Sequence, residues 1–148
     1  MMRTLAIDFG SRRVGLAMSD DGARFATPLE VLEIESAEQA MVRVAAIAEE
    51  ERVERLLVGL PLNMDDTLGP AAQATITWSR RLAGRVGLPL VFVDERLSSF
   101  AAEQQLAELK RSGQKMTRRQ KKRRQDALAA THFLQAFLDG QLAGLDVV

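Results

Sequence analysis

The sequence predicts an α/β domain built on a mixed sheet flanked by helices, and three observations carry that reading. Three short β-rich runs open the chain with connections so tight that antiparallel pairing follows. Two later strand-like runs alternate with helical stripes in a β-α-β-α-β order, which implies three parallel strands joined by crossovers. The chain has 148 residues, 47% of them hydrophobic, enough for one core, so residues 1–148 are expected to form a single domain.

The elements follow in order. Thr4–Asp8, Val14–Ser19 and roughly Phe25–Val31 read as strands, with Gly10 and Gly15 flanking the first turn. Ser36 with Gln39 forms a capping box, and Ala37, Met41, Val44 and Ala48 then recur on one helical face. Arg55–Gly59 is a short buried strand that Pro61 ends, followed by a polar loop from Leu60 to Gly69. Pro70 suits a first helical turn, and Thr75, Trp78, Leu82 and Val86 form the next stripe, stopped by Gly87 and Pro89. Trp78 reads as core. Leu90–Val93 is the last strand, Ser98 or Ser99 can cap a helix carrying Ala102, Leu106 and Leu109, and a final helix runs from about Arg123 to Asp139, stopped at Gly140.

Charge is distributed unevenly although the net charge is zero. Nine of the twenty basic residues lie between Lys110 and Arg124, where no acid occurs, so the rest of the chain sets eleven basic residues against all twenty acids. A local basic ridge of this kind contacts a polyanion whatever the overall charge. The plainer alternative is a solvated loop, since the segment lacks aromatic residues for stacking on bases. With no cysteine the chain has no disulfide framework, thiol nucleophile or zinc–thiolate site. The run Thr4–Ile7 is too short for a signal-peptide core and no apolar stretch reaches transmembrane length, so a cytoplasmic protein without membrane contacts is expected.

Three carboxylates stand at the ends of elements. Asp8 closes the first strand, Glu95 follows the last, and Asp126 opens the final helix directly after the basic stretch. Acids converging from distant segments beside a basic patch suit divalent ions acting on a phosphodiester. Taken singly, Asp8 reads first as a turn former, Asp126 can be an acid complementing a helix dipole, and Glu95 can pair with Arg96 or Arg13 on the surface.

Four ordered segments also carry a family resemblance: Ile7-Asp8-Phe9-Gly10-Ser11-Arg12-Arg13-Val14-Gly15, Val58-Gly59-Leu60-Pro61-Leu62-Asn63-Met64-Asp65, Val93-Asp94-Glu95-Arg96-Leu97-Ser98-Ser99 and Asp126-Ala127-Leu128-Ala129-Ala130. Together they resemble the YqgF/RuvX family, a branch of the ribonuclease H-like fold related to the resolvase RuvC. The resemblance implies a three-layer fold with a five-stranded mixed sheet, and a nuclease acting on structured nucleic acid. Its first expected substrate is the 5′ end of pre-16S rRNA, with branched DNA (Holliday junctions) as the alternative and monomer or homodimer left open. It further implies that Asp8, Glu95 and Asp126 hold two Mg²⁺ or Mn²⁺ ions. Two positions depart from the family pattern: Ala129 stands where the related resolvase has a second acid, and Asp66 where relatives usually have glycine.

Candidate nucleic-acid contacts are Arg12, Arg13, Asn63, Arg96, Lys115, Arg118, Arg119, Lys121 and Lys122. For Arg96 a salt bridge to the same three carboxylates is an equal alternative. Asp94 is a weaker candidate than Glu95, because strand alternation turns it to the other face. His132, six residues after Asp126, falls on a different helical face and reads as packing or surface. The Asp-x-Gly start also resembles the phosphate loop of actin-like ATPases, but those clasp nucleotide between two lobes and this chain has length for one. A noncatalytic RNA-binding module would use the basic ridge without needing three acids.

Overall fold

A computed structural model of the chain describes residues 2–96 and 118–146, with side chains of α3 described from Leu128 onward. The elements are β1 (Thr4–Phe9), β2 (Arg13–Ser19), β3 (Ala26–Glu33), α1 (Ala37–Glu50), β4 (Arg55–Leu60), α2 (Pro70–Val86), β5 (Leu90–Asp94) and α3 (Arg118–Leu138). The helix expected after Ser98 or Ser99 lies outside the described residues.

One five-stranded sheet runs in the order β3-β2-β1-β4-β5. β1 pairs antiparallel with β2 and parallel with β4, and β4 pairs parallel with β5, so the sheet is mixed as the element order predicts. The β1–β2 turn closes where Gly10 N–H donates to the Arg13 carbonyl at 2.9 Å. A side chain at position 10 would lie 2.7 Å from that oxygen, so this turn needs glycine. Gly15 sits inside β2 rather than in the turn, directly opposite Asp8. β3 extends beyond the expected Val31 to Glu33, which pairs with Arg13.

Alternation along the strands divides the core into two layers. Leu5, Ile7, Val14, Leu16, Leu56 and Val58 pack with Val44 of α1 and Ile76, Trp78 and Leu82 of α2. Ala6, Ala17, Leu57 and Val93 face the other way, onto Ala130, Phe133 and Leu134 of α3. Small residues on that second face let α3 come close to the sheet. Trp78 is core: its ring stacks on Phe9 at 4.3 Å and its Nε1–H donates to the Ala37 carbonyl at 3.0 Å.

Helix ends follow sequence chemistry. Ser36 Oγ accepts the Gln39 N–H at 3.0 Å, and Gln39 Oε1 accepts the Glu35 N–H at 2.6 Å. Pro70 opens α2, and Gly87 ends it at φ 70°, where a Cβ would be strained. α3 begins at Arg118 rather than near Arg123, so much of the basic stretch is helical rather than loop. Arg, Lys and Gln are good helix formers, and no Gly or Pro interrupts the run from Arg118. The C-terminal segment guards the edge of β5 where Leu145 N–H donates to the Phe92 carbonyl at 2.7 Å. Among the described residues no helix is long and apolar enough to cross a membrane.

Candidate active site

Asp8 lies on the central strand, on the same face as Ala6 and therefore on the side that α3 covers. Its neighbour Gly15 on β2 has no side chain to fill the space beside it. Glu95 directly follows β5 and shares the face of Val93, while its N–H donates to the Leu60 carbonyl at 3.3 Å. The two carboxyls meet across the ends of the parallel strands in a side-chain hydrogen bond. Burial pushes the Asp8 carboxyl above the ordinary carboxylate range, and the hydrogen bond from Glu95 only partly opposes it. Two carboxyls in such contact share a proton unless a cation lies between them.

Gly59 of β4 makes this meeting possible. A Cβ there would stand 2.8 Å from Glu95 Cβ, 2.9 Å from Glu95 Oε2 and 2.8 Å from Phe133 Cε2. Glu95 and Phe133 therefore occupy volume that any side chain at position 59 would claim. Sequence reasoning treats Gly59 only as the end of a buried strand. The available signal is a glycine inside a strand, which marks close approach of another group.

α3 runs antiparallel to β4. Its Phe137 ring lies 4.8 Å from the Arg55 guanidinium, at the start of β4, and Phe133 lies against Gly59 near the strand's end. Continuing toward the helix N-terminus carries the backbone past Gly59 to the strand ends that bear Asp8 and Glu95. Position 126 is seven residues before Phe133, roughly 10 Å farther along the axis, and helical spacing puts it on the stripe of Ala130, Phe133 and Phe137. The Asp126 side chain lies outside the described residues. Asp126 does not open the helix, however: it is in the third turn of α3, whose first turn contains no acid. A helix-dipole role at the N-terminus is thereby removed. Phe133 is fully buried and Phe137 packs beside it, both as core.

The remaining candidates separate. Arg12 is exposed at the β1–β2 turn and Arg13 is half-buried at the start of β2, both beside the strand end of Asp8. Arg118, Arg119, Lys121 and Lys122 form the first turn and a half of α3, their side chains outside the described residues, and Lys115 lies wholly outside them. Arg96 forms salt bridges, but to Asp94 and Asp66 rather than to the three site carboxylates expected from the sequence. Its Nε donates to Asp94 at 3.0 and 3.1 Å, its Nη2 reaches Asp94 at 2.6 Å and Asp66 at 2.5 Å, and its Nη1 donates to the Asn63 carbonyl at 2.8 Å. Asp94 is held below the usual carboxylate range by these donors, and Arg96 is correspondingly held above its own. Asn63 is exposed, and its Nδ2–H donates to Thr67 Oγ1 within the same loop at 3.0 Å. Asp66 adopts φ 67°, the left-handed conformation that glycine takes without strain. His132 is half-buried, and desolvation lowers its pKa. Among the described residues no three potential metal ligands cluster.

Comparison with known proteins shows the family and the fold. The model of the RuvX family, described as Holliday junction resolvase, matches residues 2–140. A protein of Rhizobium rhizogenes named "Putative pre-16S rRNA nuclease" is 42% identical over 133 residues, covering 90% of this chain and 78% of that protein. One of the same name from Anaeromyxobacter is 41% identical over 142 residues, covering 96% of this chain and all of that protein (100%). Among solved structures, Thermus thermophilus RuvC in complex with a Holliday junction substrate superposes with a TM-score of 0.60 at 22% identity, covering 97% of this chain and 100% of that one. Fowlpox virus resolvase, solved with Holliday junction DNA, gives 0.54 at 9% identity, covering 93% of this chain and 99% of that one. At these identities the structural likeness establishes the ribonuclease H-like fold.

Proposed function

The chain belongs to the RuvX family, and from that membership we propose that it hydrolyses phosphodiester bonds of structured nucleic acid through bound divalent ions, its main substrate being the 5′ end of pre-16S rRNA. The whole chain, 1–148, acts as one nuclease domain in the cytoplasm. The observation that carries this reading is the Asp8–Glu95 carboxyl pair seated over Gly59 at the ends of the parallel strands.

The pair fits a metal. Two carboxyls in contact, Asp8 desolvated and Glu95 half-buried, resist joint ionisation, and a hard cation ligated by both relieves that conflict with the oxygen donors Mg²⁺ or Mn²⁺ prefers. Asp8, Glu95 and Asp126 would hold the ions, two in number. When bound, the ions supply Lewis acidity toward the phosphate and lower the pKa of the attacking water. The chain's own residues do the rest. Gly59 gives Glu95 its position, the close packing of α3 excludes bulk water from beneath the pair, and the central strand holds Asp8 rigidly. Arg12, Arg13, Lys115, Arg118, Arg119, Lys121 and Lys122 hold substrate phosphates. Arg96 and Asn63 act indirectly by ordering the loop after β4.

A second reading, cleavage of DNA junctions, is favoured by the description of the family model. Symmetric resolution needs two active sites about a two-fold axis, whereas trimming one RNA end needs one. Purified protein with Mn²⁺ should cut a precursor-rRNA 5′-end fragment as a monomer and leave no paired nicks on a junction. Coordinated opposing cuts in a cruciform plasmid, with the RNA intact, would reverse the order of the two readings and require a dimer.

A further inference from the structure

Among the described residues, two large apolar side chains stand exposed on the single loop that follows β4: Met64 at 99% and Leu68 at 38%. An isolated exposed methionine is ordinary. This one is displayed by a turn that is fastened on every side. Asn63 N–H donates to the Thr67 carbonyl at 3.0 Å, Asp66 N–H donates to the Asn63 carbonyl at 2.9 Å, and Asp65 accepts from Thr67 N–H at 3.1 Å and Thr67 Oγ1–H at 2.5 Å. Arg96 then clamps the turn to the end of β5 through Asp66, Asp94 and the Asn63 carbonyl. A loop held in this way presents its tip with little ordering entropy left to lose on binding.

The tip is close to the candidate site and chemically unsuited to phosphate. Leu60, whose carbonyl accepts the Glu95 N–H, is four residues before Met64, so the two lie within about 14 Å along the chain. A strand advances roughly 3.4 Å per nucleotide, which brings a base step within about four of the bond held at Glu95 into reach. Asp65 and Asp66 directly follow Met64; Asp66 is paired with Arg96, and the exposed Asp65 carboxylate disfavours a phosphate backbone at the tip, leaving base faces as the surface it can meet.

We infer that Met64 is an apolar wedge that enters an opened base step of the substrate, at a helix end or branch point, and holds it unstacked beside the cleavage site. The unbranched, polarisable thioether adapts to the flat face of a base, and methionine is among the side chains that wedge base steps apart. This inference rests on the nuclease reading for its substrate and is tested separately from it. Two probes carry 2-aminopurine, one at the crossover of a four-way DNA junction and one at the helix end of an RNA hairpin with a 5′ extension. They are bound to Asp8→Asn protein, which binds without cutting. Fluorescence should rise on at least one probe, and adding Met64→Ala should remove most of that rise with binding little changed. In otherwise wild-type protein, Met64→Ala should lower kcat about tenfold, near the lower end of losing one base-stacking contact, and Met64→Leu should restore most of it. The melting temperature should not move, since the side chain is 99% exposed. An equal rise with and without Met64, or binding with no rise on either probe, overturns the wedge, as does unchanged kcat in Met64→Ala. Failure of the wild type to cut either nucleic acid instead overturns the nuclease reading, while the fluorescence comparison, which needs binding alone, still decides the wedge.

Discussion

Replacing Gly59 with alanine adds one methyl group to the sheet at the point where Glu95 and Phe133 already meet. The added carbon would stand 2.8 Å from Glu95 Cβ and from Phe133 Cε2, and 2.9 Å from Glu95 Oε2. Carbon atoms in ordinary contact sit about 3.5–4.0 Å apart, so the overlap is about 1 Å on two sides. Phe133 is fully buried between α3 and the sheet and has nowhere to withdraw. Glu95 is half-buried at a strand end and yields more readily, so its carboxylate moves about 1 Å away from Asp8. Misplacing a reacting group by that distance costs on the order of 100-fold in rate, or about 2.7 kcal/mol. The residual strain against Phe133 costs about 1–3 kcal/mol of stability, partly offset by the roughly 0.5–1 kcal/mol alanine gains over glycine in a strand. The assay is kcat on precursor RNA with Mn²⁺, read beside thermal unfolding, where about 1 kcal/mol corresponds to roughly 2–4 °C for a chain of this size. Adding Phe133→Leu, which shortens the ring's reach, should return part of the lost stability but not the lost turnover, because the clash with Glu95 remains. Wild-type kcat in Gly59→Ala would refute the idea that this glycine seats Glu95.

Other expectations follow from the same geometry. Asp8→Asn, Glu95→Gln and Asp126→Asn should each nearly abolish cleavage while binding persists, with nonadditive losses if the three hold one metal site; near-normal turnover in any of them removes that residue from it. Because the folded-state pKa of Asp8 is raised, its ionisation costs metal-free protein stability as pH rises through the carboxylate range, so Asp8→Asn should be at least as stable as wild type at neutral pH without metal, checked by urea unfolding. Arg96→Ala should loosen the loop after β4 with only a small loss of stability, because its ion pairs are solvent-screened. Asp94 is lowered in the folded state, so that contribution is present above the ordinary aspartate pKa and lost as pH falls through the folded one; the two proteins' stabilities should converge in acid. Mg²⁺ or Mn²⁺ should support turnover and Ca²⁺ should not, and full activity in excess EDTA would rule out the metal mechanism. Neutralising Arg118, Arg119, Lys121 and Lys122 should make the log–log salt slope of binding shallower by roughly three to four units, somewhat less on single strands; an unchanged slope would show that these side chains meet solvent only.

The sequence alone determined what depends on neighbours along the chain. Period-2 and helical patterns, the Ser36–Gln39 box, Pro70 and Gly87 marked most elements to within one or two residues, since local sterics and capping set those boundaries. The order of the motifs was sufficient to bring Asp8 and Glu95 forward as partners, because the acids close strands that the connectivity makes parallel. What lay beyond local reading was decided by contacts between distant segments. The start of α3 at Arg118 is the exception, a local helix propensity that prevails over like charges suggesting a loop. Arg96 adjoins Glu95 in sequence but turns to Asp94 and Asp66, a choice fixed by how the loop after β4 folds back onto β5. Gly59 carries a sequence signal of close approach, a glycine inside a strand, but what approaches is visible only in three dimensions, where Glu95 and Phe133 both claim the space of its absent side chain.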